Sequence, residues 1–146
     1  MNEKNNYYPP MHSAEHILNQ TMVRLYDCGR AYNAHIESKK SKCDYKFNRP
    51  LSIQELQMIE DKVNEIIAMN LPIKEKFISK EEAIKKYDCS KLPENVGENI
   101  RIIEIGEYDA CPCIGQHVNF TSEIGKFKII SCDYKDETLR IRFKLE

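Results

Sequence analysis

Four residues in two short strings carry the ligand chemistry of a metal site. They are His12 and His16 in His12-Ser13-Ala14-Glu15-His16, and Cys113 and His117 in Cys113-Ile114-Gly115-Gln116-His117. On a helix, residues four apart lie one turn apart on one face, so the first pair can turn its ring nitrogens to a single point. The second pair can close a tetrahedron around that point. Three imidazoles and a thiolate suit zinc better than the oxygen-preferring magnesium and calcium, or than iron, nickel or cobalt. Gly115 permits a tight path between Cys113 and His117, and Pro112 stiffens the approach. Glu15 invites comparison with the zinc-protease string His-Glu-x-x-His, but that motif needs its glutamate directly after the first histidine. Ser13 stands there, so Glu15 is expected on the exposed helix surface rather than as a general base. Four protein ligands ordinarily make a closed structural site, whereas hydrolytic zinc keeps an open position. Hydrolysis would therefore require expanded coordination or a histidine that binds through water.

The elements around these strings read as α+β, a mixed sheet packed with a few helices. Residues 12 to 27 form the first helix, preceded by Pro9-Pro10 and stopped by Gly29, with Ile17, Leu18, Val23 and Leu25 among its apolar positions. Residues 31–37 and 42–48 form two strands joined by a polar turn, Ser38 to Ser41. Ser52 and Glu55 make a capping box for a helix to about residue 69, with Ile53, Leu56, Ile59, Val63, Ile66 and Ile67 as its buried stripe. A strand over 72–78 leads to a short helix capped by Ser79 and Glu82, and a loop covers 88–98. The strand 100–105 delivers the chain to the second string, and strands 126–133 and 138–145 finish it.

A chain of 146 residues suits one domain, here read as 1–146 with residues 1–10 a flexible segment. The hydrophobic fraction of 41% and charged fraction of 31% are those of a soluble protein. No apolar run approaches the roughly 20 residues of a membrane span, and the N-terminus lacks a signal peptide's pattern, so no membrane partner and a cytoplasmic location are expected. The six cysteines are then reduced thiols, with Cys111 a buried or partly buried one. A net charge of −1 argues against a dedicated DNA or RNA surface. Lys39, Lys40, Lys42, Lys46 and Arg49 nevertheless form a local basic cluster, either a solvated hairpin or a set of phosphate contacts.

The strings HSAEHIL and DACPCIGQHV resemble the HxxxH and CxxxH motifs of the editing domain of alanyl-tRNA synthetases. That domain is shared with the second N-terminal domain of threonyl-tRNA synthetases and with freestanding alanyl-tRNA editing proteins. The likeness continues through Val63-Asn64, Asn70 to Ile73, Glu82-Ala83, Val118 to Gly125, Phe127 and Arg140 to Arg142, and so covers roughly residues 11 to 145. It implies a zinc-assisted deacylase that hydrolyses the ester of mischarged tRNA, serine or glycine on the tRNA for alanine, acting in trans. Lys39, Lys40 and Lys42 would meet the tRNA acceptor end. The resemblance also places Asp109 behind a metal-bound imidazole, and His35 either at the pocket or in a local hydrogen bond. Gln116 stands where the family has threonine and Ile114 where it has glycine, and the region after His35 lacks the family's glutamine and Gly-Ser signature. The N-terminal β-barrel of many freestanding members would be missing. These departures leave two further readings open: a non-catalytic binding module stapled by zinc, and a metal hydrolase of a small ester or amide.

Overall fold

The computed structural model describes residues 8–90, 92 and 97–146. Its elements are helix α1 (Pro9–Tyr26), strands β1 (Asn33–His35) and β2 (Ser41–Lys46), helix α2 (Ile53–Ala68), strand β3 (Ile73–Ser79), helix α3 (Lys80–Lys86), strands β4 (Asn99–Ile105) and β5 (Asp109–Pro112), and strands β6 (Phe127–Lys135) and β7 (Thr138–Leu145). A 3-10 turn, Thr121–Ile124, precedes β6. The architecture is α+β, as expected, with the strands divided between two antiparallel sheets. One has the order β1-β2-β7-β6 and the other β3-β4-β5.

The first helix begins at Pro9, because a proline in the opening turn has no N–H to leave unpaired. It ends when Asp27 enters the left-handed region, two residues before Gly29. Residues 11 to 19 are all buried, so the first half of α1 is surrounded on every side, while Arg24 and Leu25 near its end are exposed. Met11, Ala14, Ile17, Leu18 and Met22 meet Ile59, Val63, Ile66 and Ile67 of α2. Cys43 and Tyr45 of β2 and Leu139, Ile141 and Phe143 of β7 complete that core. The alternation along β7 puts Leu139, Ile141 and Phe143 on the inner face, and the register Cys43↔Ile141, Tyr45↔Leu139 keeps the β2 residues beside them. Each fully buried side chain of this kind contributes about 1.5–3 kcal/mol.

The capping box of Ser52 and Glu55 is present in full. Ile53 is 83% exposed, however, and leaves the expected stripe. It occupies the first helical turn, before α2 comes into register with α1. At α3 only half of the expected box forms: Ser79 accepts from Glu82 N, while the Glu82 carboxylate pairs with Lys86. Strand β5 lies where the sequence shows no separate strand, and it pairs Cys111 with Ile103 and Pro112 with Ile102. A second, smaller core of Ala83, Ile100 and Ile102 joins α3 to the other face of this sheet. The loop expected over 88–98 falls partly, and the segment 1–7 wholly, outside the described residues.

Candidate metal centre

The opening turns of α1 present His12 and His16 toward the end of β5, and the chain leaving β5 brings Cys113 and His117 to the same place. One ligand atom from each of the four lies within 4.8 Å of all the others. Cys113 Sγ is 3.4 Å from His12 Nε2 and 3.5 Å from His117 Nε2. A tetrahedron with zinc bonds of roughly 2.0–2.3 Å has edges of about 3.3–3.7 Å, so these separations are those of ligands around one zinc. The donor set and the spacing both fit that ion.

Each imidazole is turned by a contact at its other nitrogen, the arrangement that fixes a ligand's orientation. His12 Nδ1 lies 3.1 Å from the carbonyl oxygen of Gln116, to which it donates, leaving Nε2 for the centre. His117 Nδ1 lies 2.9 Å from Ser13 Oγ, which also accepts from Val118 N. The other side of His16 faces a second buried group: its Nδ1 is 3.2 Å from Cys111 Sγ and 3.6 Å from Asp109 Oδ2. The Asp109 side chain is completely buried, and it is satisfied by Arg30 at 2.7 and 3.3 Å and by Gln20 at 2.8 Å.

Gly115 packs against the His12 ring so closely that a Cβ there would lie 2.6 Å from Nδ1. Its carbonyl and that of Cys113 accept from Arg101 Nη1 at 2.7 and 3.1 Å, which pins the ligand loop to β4.

The electrostatics favour a metal-binding thiolate. Burial pushes the Cys113 thiol up, but hydrogen bonds from His117, His12 and His16 overcome it and hold the thiol down at about 2. Burial pushes His117 down to about 3, against the pull of Cys113, so its imidazole is neutral. Burial also opposes charge on His16, yet Cys111, Asp109 and Cys113 raise it well above its ordinary value. Asp109 is held well below the usual carboxylate range despite its burial, because His16 and Arg30 stabilise its charge.

One expectation is revised. Glu15 is buried, not on the exposed surface, and its Oε1 lies 3.7 Å from His12 Nε2. Gln116 is exposed and touches the centre through its backbone carbonyl. His35 is exposed and paired with Glu37, outside the four-ligand cluster. Lys39 and Lys40 are exposed at the β1–β2 turn and Lys42 is half-buried. Lys46 lies over the Tyr32 ring at 4.5 Å, and Arg49 is engaged by Glu55. Ser13, Gln20, Arg30 and Arg101 have no motif to mark them. Two of them, Gln20 and Arg30, are drawn in by Asp109, whose buried carboxylate needs donors and a cation. Among the described residues no helix is long and apolar enough to cross a membrane.

Comparison with known proteins finds relatives over most of the chain. Residues 100–141 match the family described as the threonyl and alanyl tRNA synthetase second additional domain. An alanine-tRNA ligase of Coxiella burnetii is 35% identical over 121 residues, 82% of this chain and 14% of the ligase. One from Methanopyrus kandleri is 32% identical over 136 residues, 90% of this chain and 15% of that protein. The chain thus spans a small part of the length of these curated relatives. It is related to the alanine-tRNA ligases through a domain of the threonyl and alanyl tRNA synthetase type, the family its two histidine motifs resemble.

Proposed function

We propose that this protein is an aminoacyl-tRNA deacylase that removes serine or glycine from the tRNA for alanine, acting in trans, with zinc held by His12, His16, Cys113 and His117. The observation that carries the reading is the convergence of those four ligand atoms in a chain related to alanine-tRNA ligases. Zinc in such a site supplies a Lewis acid and a template that orients the substrate's aminoacyl group.

The protein's own residues then have distinct tasks. Gln116 O and Ser13 Oγ fix the rings of His12 and His117, and the Arg30–Asp109 pair with Cys111 backs His16. The Glu15 carboxylate lies 3.7 Å from the ligating nitrogen of His12 and takes the proton from the attacking water. The water oxygen bonds to the ester carbonyl carbon, the bond from that carbon to the ribose oxygen breaks, and the proton passes to the ribose oxygen. Such a second hydrolytic site has a physical rationale, because side chains differing by one small group are discriminated only modestly in a single pocket.

The deciding experiment is deacylation of tRNA for alanine charged with serine, glycine or alanine, with and without a zinc chelator. The reading requires release of serine or glycine that is lost on chelation and restored by zinc. Failure to release any amino acid from a folded, zinc-loaded protein would refute it and leave the zinc-stapled binding module. The complete four-ligand set is the observation that favours that second reading.

A further inference from the structure

The face of the β3-β4-β5 sheet that meets α1 continues beyond the metal centre to an exposed aromatic ring. Phe77 of β3 is paired with Arg101 of β4, and directly opposed residues of antiparallel strands project to one face. Glu75, two residues from Phe77, accepts from Arg101 Nε at 2.6 Å on that face. Two residues along β4, Ile103 opposes Cys111, whose sulfur meets His16 of α1. Extending the β4–β5 register by one residue sets Arg101 opposite Cys113, and Cys113 N donates to Arg101 O at 3.2 Å. Phe77, Arg101 and Cys113 therefore form a row across the sheet. Two strand spacings separate its ends, about 10 Å.

Phe77 is 60% exposed at the sheet's outer strand. Its neighbours in the row and along the strand are an arginine and a glutamate that pair with each other. A single exposed ring framed by charge, one nucleoside's length from the ligand cluster, suits a planar partner better than a broad apolar protein surface. Every aminoacyl-tRNA carries its ester on a terminal adenosine. We infer that Phe77 is the platform on which that adenine stacks, so that the attached ribose ester reaches the centre at Cys113. The inference rests on the deacylase reading and assigns the substrate's base to a site that the ligand motifs do not include.

The test has a binding arm and a kinetic arm. The chain contains no tryptophan, so Phe77→Trp places a single reporter on the platform while keeping an aromatic face. A non-hydrolysable serine amide of 3′-amino-3′-deoxyadenosine should quench its fluorescence saturably, and serinamide alone should not. In the kinetic arm, Phe77→Ala should raise KM for mischarged tRNA by about 5- to 160-fold, the range given by loss of one base–aromatic stack, with kcat within about twofold. Phe77→Tyr should restore KM. Circular dichroism and bound zinc should match the parent protein, since the side chain lies outside both cores. An unaltered KM in Phe77→Ala would overturn the assignment and leave deacylation standing. If the parent protein deacylates nothing, the binding arm decides: no quenching by the adenosine amide refutes the platform as well, whereas saturable quenching upholds it.

Discussion

Gly115→Ala isolates the geometry of the centre from its ligand chemistry, because it changes no ligand and no charge. The added Cβ would sit 2.6 Å from His12 Nδ1. It would overlap Cε1 of the same ring more closely still, and non-bonded carbons rest at about 3.5–4.0 Å, so ring and loop must part by more than about 1 Å. Arg101 holds the loop side through the Cys113 and Gly115 carbonyls, and the displacement therefore falls on His12. The ring then loses its 3.1 Å contact with Gln116 O, and Nε2 moves off the 3.4 Å position beside Cys113 Sγ. Loss of such an orienting contact weakens metal affinity about 10- to 100-fold. The overpacking itself costs about 1–3 kcal/mol of stability. Competition with a chromophoric chelator measures the first quantity and urea unfolding the second. Parental zinc affinity in a folded Gly115→Ala protein would refute the claim that the His12 ring depends on the missing Cβ.

Three further outcomes follow from the same structure. Glu15→Gln should retain zinc and fold while deacylation falls by about 10²- to 10⁴-fold, the usual worth of a general base; a turnover number equal to the parent's removes Glu15 from the mechanism. Changing Lys39, Lys40 and Lys42 together to alanine should weaken tRNA binding and reduce the slope of log K against log salt by up to about 0.7–0.9 per lost phosphate contact. Hydrolysis of a small aminoacyl ester should be spared, and an unchanged salt titration would mark the lysines as solvated surface. Asp44, bonded to Arg140 at 2.7 and 3.0 Å, and Asp109, held by His16 and Arg30, both have carboxyls lowered from their ordinary value. Their stabilisation is complete above the unfolded carboxyl value of about 4 and is lost as pH falls toward the lower folded values, so the urea midpoint should drop steeply below about pH 4. Asp44→Asn should flatten that acid limb, and a limb of undiminished steepness would count against the pair.

The part of the site that could be read from the sequence is the part governed by local rules. His12 and His16 stand at the i, i+4 spacing of a helix, and the Ser52 and Glu55 box depends on three consecutive peptide units, so neither needs knowledge of distant chain. The pairing of β5 with β4 and the ion pair of Arg30 with Asp109 depend on residues far apart in sequence, and no periodicity records them. Glu15 shows the difference most sharply. A helix with one apolar stripe normally leaves its charged residues to water, and that rule places Glu15 outside. It fails because the first half of α1 is enclosed by α2, both sheets and the ligand loop, so its polar face is turned into a second interior instead of solvent. A glutamate, two histidines and a serine on one buried helical stretch would be a severe cost without partners. Here Ser13 and His16 meet groups supplied by β5 and the residues after it, and Glu15 stands beside His12 at the centre. The burial that misleads a surface-helix reading is thus the same feature that gathers the polar side chains of the opening turns of α1 around the candidate metal centre.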